Sequence, residues 1–132
     1  MTDILVPIAP GELIDKLTIL RLKADNITDP AKLKNVQHER AMLEAVANRN
    51  VPSSPALTSL WDELYEINKS LWQVEDAIRA CDAKGNFNEA FVALARAVYV
   101  TNDQRAVVKK KINQLLGSAI VEEKSYHSTD PL

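Results

Sequence analysis

Three side chains with chemistry to offer, Asn102, Arg105 and Lys109, lie in "RAVYVTNDQRAVVKKKIN" (96–113), where Val98 and Ile112 mark the face a helix would bury. On a wheel at ~100° per residue all three fall within about 40° of Phe91, in the sector shared with Leu94, Val98, Ile112 and Leu116. The preceding helix repeats the feature. With Leu57 as its origin, Asn68, Glu75 and Arg79 fall on the inward side, and one helix earlier Arg40 lies in the sector of Leu33, Val36 and Ala47. Burying such groups unpaired costs several kcal/mol each, so they must meet partners, water or a ligand. Arg40, Arg79, Arg105 and Lys109 face one acid among these candidates, Glu75, and self-pairing leaves an excess of cations. With the amides of Asn68 and Asn102, the band suits a small anion carrying carboxylate or phosphate, because the guanidinium fork matches those groups. The same residues also fit a plainer role. Mid-bundle amides and ion pairs fix register or line a dimer interface, and long cationic side chains lie along apolar surface with their heads in water.

The elements that position these groups are all helical. Pro10 and Gly11 open a helix over about 11–27, with Leu13, Leu17, Leu20, Ala24 and Ile27 on one stripe and Ile14, Ile19 and Leu22 off it. A helix apolar on more than one face belongs in a central position or at a subunit interface. Asp29-Pro30 starts a second helix, about 30–49, with Leu33, Val36, Leu43 and Ala47 inward. "NRNVPSSPA" (48–56) is a loop. The third helix, about 56–83, buries Leu57, Leu60, Trp61, Leu64, Ile67, Leu71 and Ile78 and ends at Gly85. Asn86 with Glu89 reads as a capping box for the fourth, about 87–116, which buries Phe87, Phe91, Leu94, Ala95, Val98, Ile112 and Leu116 and stops at Gly117. Residues 4–8, "ILVPI", are extended, with Pro7 limiting them to an edge strand at most.

The expected architecture is an all-α, four-helix bundle-like domain, 1–126, with a long C-terminal antiparallel hairpin and a frayed tail, 127–132. Turning at Lys84–Gly85, the hairpin brings together positions whose numbers sum to about 170, good to about one turn. Asn68 then faces Asn102, Tyr65 faces Arg105, Trp61 faces Lys109 and Glu75 faces Ala95. The expected partners are a second copy of the chain and a small anionic ligand.

Other chemistry is thinly represented. A net charge of −2 gives no field to recruit nucleic acid. No apolar run approaches the ~20 residues that span a bilayer, and an acid at position 3 with no basic region ahead of it argues against a secretory signal. Cys81 is single, which fits a reducing compartment, so the expected location is cytoplasmic. His38 and His127 lack a second ligand at metal spacing, no Gly-rich phosphate loop occurs, and neither metal nor cofactor is expected. "GELID" (11–15) and "ELYE" (63–66) each set two acids on one helix face. That spacing resembles the acidic helix motifs of all-α nucleotide pyrophosphohydrolases, which would imply magnesium held between carboxylates and phosphates.

Longer segments carry a broader likeness: "GELIDKLTILRLK" (11–23), "LKNVQHE" (33–39), "INKSLWQVEDAIR" (67–79), "LARAVYVTNDQRAVVKKKIN" (94–113) and "GSAIVEEKSY" (117–126). Together they resemble a family of small bacterial proteins catalogued only as a domain of unknown function, over about 4–126. "LIDKLTILRLK", "ERAMLE" (39–44) and a long third helix also resemble the order of the all-helical chorismate mutases. That likeness implies Arg and Lys holding a dicarboxylate inside a helical dimer. Glu12, Asp15 and Lys16 stand where those enzymes place an N-terminal Arg, and Val36 and Gln37 where they place an acid. Two function classes follow. One is a binding or assembly module whose polar band serves register, dimerisation or anion binding. The other is a small enzyme on an anionic metabolite, with Arg79, Arg105 and Lys109 as clamps and Glu75 as acid or base. Glu122, Glu123 and Tyr126 are candidates for the rim of the band.

Overall fold

Three of the four helices begin at a proline, where a missing N–H costs nothing because first-turn amides have no intrahelical partner. The computed structural model describes residues 1–127. Its helices are α1 (Pro10–Asn26), α2 (Pro30–Asn50), α3 (Pro55–Ala83) and α4 (Glu89–Leu115), with no strand among the described residues. Asp29 caps α2 by accepting from the Lys32 amide at 3.2 Å, and Ser54 caps α3 by accepting from Leu57 at 3.1 Å. The fold is an all-α helical bundle, as the periodicity predicts. The loop before α3 is shorter than expected, residues 51–54, because α2 runs on to Asn50.

Both hairpin helices end in the same way. Gly85 and Gly117 sit at φ +65° and +64°, a region costly for any residue with a Cβ. Asn86 N–H then reaches the Cys81 carbonyl at 2.9 Å and Ser118 N–H the Asn113 carbonyl at 2.9 Å, each a Schellman closure. This closure corrects the predicted start of α4. Asn86 is committed to ending α3, so Asn88 becomes the cap, accepting from Ala90 and Phe91 at 3.1 and 3.3 Å. Phe87 accordingly lies outside the helix. It is exposed, not buried, and meets Phe91 edge-on at 5.1 Å.

α1 is the central element. It packs against all three other helices, while the backbone of α2 approaches only α1. Eight of its 17 residues are buried, on both sides of the helix. One side joins Ile14 to Leu57, Leu64, Val108 and Ile112; the other joins Leu13 and Leu17 to Ala47, with Trp61 against them. α2 buries only Val36 and Ala47, as a helix with one neighbour must. α3 buries Leu57, Leu64 and Asn68, all in its first half, and α4 buries Thr101 at its middle and Val108, Ile112 and Asn113 in its second half. Toward the tip, the predicted core positions Leu71, Ile78, Phe91, Leu94 and Val98 are half-buried. The reason is length: 17 residues of α1 cannot cover hairpin helices of 29 and 27.

"ILVPI" pairs with no strand, and Ile4, Leu5, Val6 and Ile8 are exposed. Residues 118–127 form no helix and return along α4. Of the predicted frayed tail, 128–132 lie outside the described residues.

Candidate functional site

The polar band is completed by acids from α1. Asp15 is 1% exposed and lies where α1 crosses the hairpin. Arg105 grips it side-on: Nε donates to Oδ1 at 2.8 Å and Nη2 donates to Oδ2. From α3, Asn68 Nδ2 gives one hydrogen to Asp15 Oδ1 at 2.9 Å and the other to Thr18 Oγ1 at 2.8 Å. Thr18 passes its own hydrogen to the Asp15 carbonyl at 2.7 Å. Asn102 accepts from Arg105 Nη1 at 3.4 Å. Every buried side-chain nitrogen and oxygen among the described residues has a partner, so this burial carries no orphaned group.

One turn toward the N-terminus of α1 the pattern repeats. Lys109 Nζ donates to Glu12 Oε2 at 2.6 Å and stands 3.5 Å from Glu122 Oε2. One turn further along α4, Asn113 Oδ1 accepts from the Gly11 amide at 2.7 Å. Partner numbers fall along α4 as they rise along α1, so the two helices run antiparallel. Gly11 is required by this approach. A Cβ there would stand 2.5 Å from the Lys109 carbonyl oxygen and 2.7 Å from Asn113 Oδ1.

The electrostatics follow from the contacts. The hydrogen bonds to Asp15 hold the Arg105 guanidinium above its ordinary pKa, against the opposing effect of burial. For Lys109, burial is the largest influence and pushes the ammonium down. The hydrogen bond to Glu12, with the charges of Glu12, Asp15 and Glu122, outweighs it, and the net direction is up.

Of the predicted site residues, Asn68, Asn102, Arg105 and Lys109 come together. Arg40 does not join them: it pairs with Glu44 along α2 at 3.0 Å. Arg79 pairs with Glu75 at 3.4 Å on the exposed side of α3. Glu75 nonetheless shares with Asn68, Arg105 and Trp72 the walls of a cavity of about 300 Å³ at the end of α1. Of the expected facing pairs, those of Asn68, Tyr65 and Trp61 give way to contacts with α1. Asn68 and Asn102 each reach the Asp15–Arg105 pair from their own helix instead of meeting. Tyr65 lies under the Arg21 guanidinium at 3.9 Å, and Trp61 packs with Leu13 and Leu17. Glu12, Asp15, Thr18 and Asn113 complete the network without having been singled out as inward partners. For the two acids the signal is their three-residue spacing in "GELID", on a helix apolar on more than one face. No group of three or more His, Cys, Asp or Glu among the described residues is placed to hold a metal ion. Glu63 and Glu66 are exposed.

The C-terminal segment closes over the outer edge of this network. Glu122 reaches Lys109, Glu123 lies 3.7 Å from Lys110, and Lys124 Nζ donates to Asp103 at 3.2 Å and to the Asn102 carbonyl at 3.4 Å. Between this strap and α4 lies a cavity of about 410 Å³, lined by Tyr99, Asn102, Arg105, Lys109, Lys124 and Tyr126 among others. Three of the five N–H groups of Arg105 are used by Asp15 and Asn102, leaving two. Lys109 and Lys124 each use two of three, leaving one apiece without an acceptor among the described residues.

No helix among the described residues is long and apolar enough to cross a membrane. No curated protein and no solved structure matches the chain. A family model does match, over residues 4–131, nearly the whole chain, and the protein belongs to that family, DUF6165, a family of unknown function.

Proposed function

We propose that this protein is a binding module that takes a small anion, carrying carboxylate or phosphate, into the cavity between α4 and the C-terminal strap. The observation that supports it is the set of unused N–H donors from Arg105, Lys109 and Lys124 around one cavity of about 410 Å³. That size is within the ~300–1,000 Å³ of small-molecule sites. Asp15 fixes the guanidinium along its Nε–Nη2 edge, so the two remaining hydrogens, on Nη1 and Nη2, are held ready for an incoming acceptor at little entropic cost. Tyr99 and Tyr126 offer ring surface for the body of the ligand. Glu122, beside the cavity and not in its lining, competes with the anion for Lys109. Its 3.5 Å approach to Lys109 is long beside the 2.6 Å bond to Glu12, and it is the contact a ligand would displace. No reaction is part of this reading, since Glu75, the acid or base of the enzymatic alternative, is engaged by Arg79 outside this cavity.

A thermal-shift screen tests it with inorganic phosphate, sugar phosphates, nucleotides, chorismate and prephenate, each with and without Mg²⁺. A ligand at ~100 times its dissociation constant adds ~2.7 kcal/mol of stability. The shift should shrink in Lys124→Ala and grow in Glu122→Gln, both exposed positions whose change leaves the core intact. A panel without a single hit, or a hit indifferent to both substitutions, refutes the reading.

A further inference from the structure

A second face of the α3–α4 hairpin carries a pattern that nothing among the described residues uses. A groove of about 610 Å³ runs between the two helices, with Glu63, Ile67 and Ser70 on one wall and Gln104 and Val107 on the other, and no residue of α1 or α2 lines it. Along α3 the stripe Glu63, Ile67, Ser70, Val74, Ala77 alternates steps of four and three. Along α4, Ala97, Val100, Gln104, Val107, Lys111 steps by three and four. Alternate steps of three and four are the a/d rhythm of a helix seam that expects a facing partner. These stripes are distinct from the buried positions Leu57, Leu64 and Asn68 of α3 and Thr101, Val108 and Ile112 of α4. Val100 and Val107 are 40% and 53% exposed, while Ile67, Val74 and Ala77 are half-buried.

We propose that this face binds a second copy of the chain, the two hairpins packing back to back as a four-helix bundle. Charge selects that occupant. Glu63 and Glu66 at the groove, and Lys111 at the end of the α4 stripe, have no ion-pair partner among the described residues. A two-fold axis parallel to the hairpin sets α3 against the partner's α4, antiparallel, and brings Glu63 within about one turn of the partner's Lys111. The face is therefore complementary to itself. The stripes run 15 residues on each helix, which makes the face ~22 Å long, and two helices side by side make it ~20 Å wide. Its footprint of about 440 Å² per partner is at the low end for a specific contact, so the association should be weak and concentration-dependent. The inference stands apart from the anion cavity, which shares no lining residue with this groove.

Sedimentation equilibrium on the full chain over a range of about 100-fold in concentration tests the proposal. The wild type should be dimeric at the upper end. Val100→Lys with Val107→Lys should weaken the dimer by about 10-fold or more, while circular dichroism keeps the helical signal, because both positions are exposed in the protomer. Lys111→Glu alone should weaken it, and adding Glu63→Lys should restore it. Val92→Lys, exposed but off the stripe, should leave it unchanged. A wild type that stays monomeric overturns the proposal. So does a folded Val100→Lys, Val107→Lys protein that remains dimeric, or a charge swap that fails to restore what Lys111→Glu removes.

Discussion

Replacing Arg105 by Met should be among the most destabilising single changes on the surface of the hairpin, and the structure sets the magnitude. The substitution keeps the aliphatic stem and deletes three hydrogen bonds, two of them to Asp15. Asp15 is 1% exposed, so its carboxylate is left in the interior with Asn68 as its remaining side-chain donor. Removing one member of a buried pair costs ~3–5 kcal/mol, because the survivor's desolvation is no longer offset. The reverse change, Asp15→Leu, strands the guanidinium instead. The Arg105 side chain is 26% exposed and can turn toward water, so this loss should fall at the lower end, ~3 kcal/mol. The double variant should cost at least ~2 kcal/mol less than the sum of the singles, since neither charge is then left behind. Urea unfolding reads all three, as shifts in midpoint at constant m. Against a total of ~5–15 kcal/mol, a 4 kcal/mol loss leaves a folded protein that can still be measured. The reasoning fails if Arg105→Met is neutral or stabilising, or if the two single losses simply add.

Three further outcomes follow from the same geometry. Gly11→Ala gains up to ~1 kcal/mol of helix propensity but drives a Cβ to 2.5 Å from a backbone oxygen, so a net loss of ~1–3 kcal/mol is expected, and a higher thermal midpoint would contradict it. Lys109 binds its proton more tightly folded than unfolded, so its stabilising contribution is whole below the ordinary lysine value of 10.5 and fades as pH climbs through the higher folded value. The urea-midpoint gap between wild type and Lys109→Met should thus be constant from neutral pH to about 10 and close above it; a gap that closes between pH 7 and 9 contradicts the assignment. Truncation after Gly117 removes strap contacts that are mostly exposed, so stability should change by less than ~1 kcal/mol while anion binding is lost; retained binding would separate the strap from the site.

Much of this is legible in the amino-acid sequence. The starts of α1, α2 and α3 and the stops at Gly85 and Gly117 follow from local chemistry, since a cap, a first-turn proline or a left-handed glycine acts within a few residues of itself. The inward positions of Asn102, Arg105 and Lys109 also follow, because 3.6-residue periodicity needs nothing beyond one helix. Local chemistry places the start of α4 two residues early, because Asn86 and Asn88 are equivalent in type. Only the Schellman closure of α3, which uses the Asn86 amide, decides between them.

The surplus of cations was a different matter. The amino-acid sequence alone determines that Arg105 and Lys109 face inward, and that α1, apolar on two sides, belongs in a central position or at a subunit interface. It also holds the acids that answer them, Glu12 and Asp15, three residues apart on one face. Which acid meets which cation depends on how α1 crosses the hairpin, a relation between residues about 90 apart in the chain that no single-helix periodicity encodes. Arg40, Glu75 and Arg79 look equally inward on their own wheels. Tertiary structure alone separates them, because α2 has one neighbour and α1 is too short to cover the hairpin's tip. A helix fixes the direction of its own side chains; what stands opposite is fixed only when the helices pack.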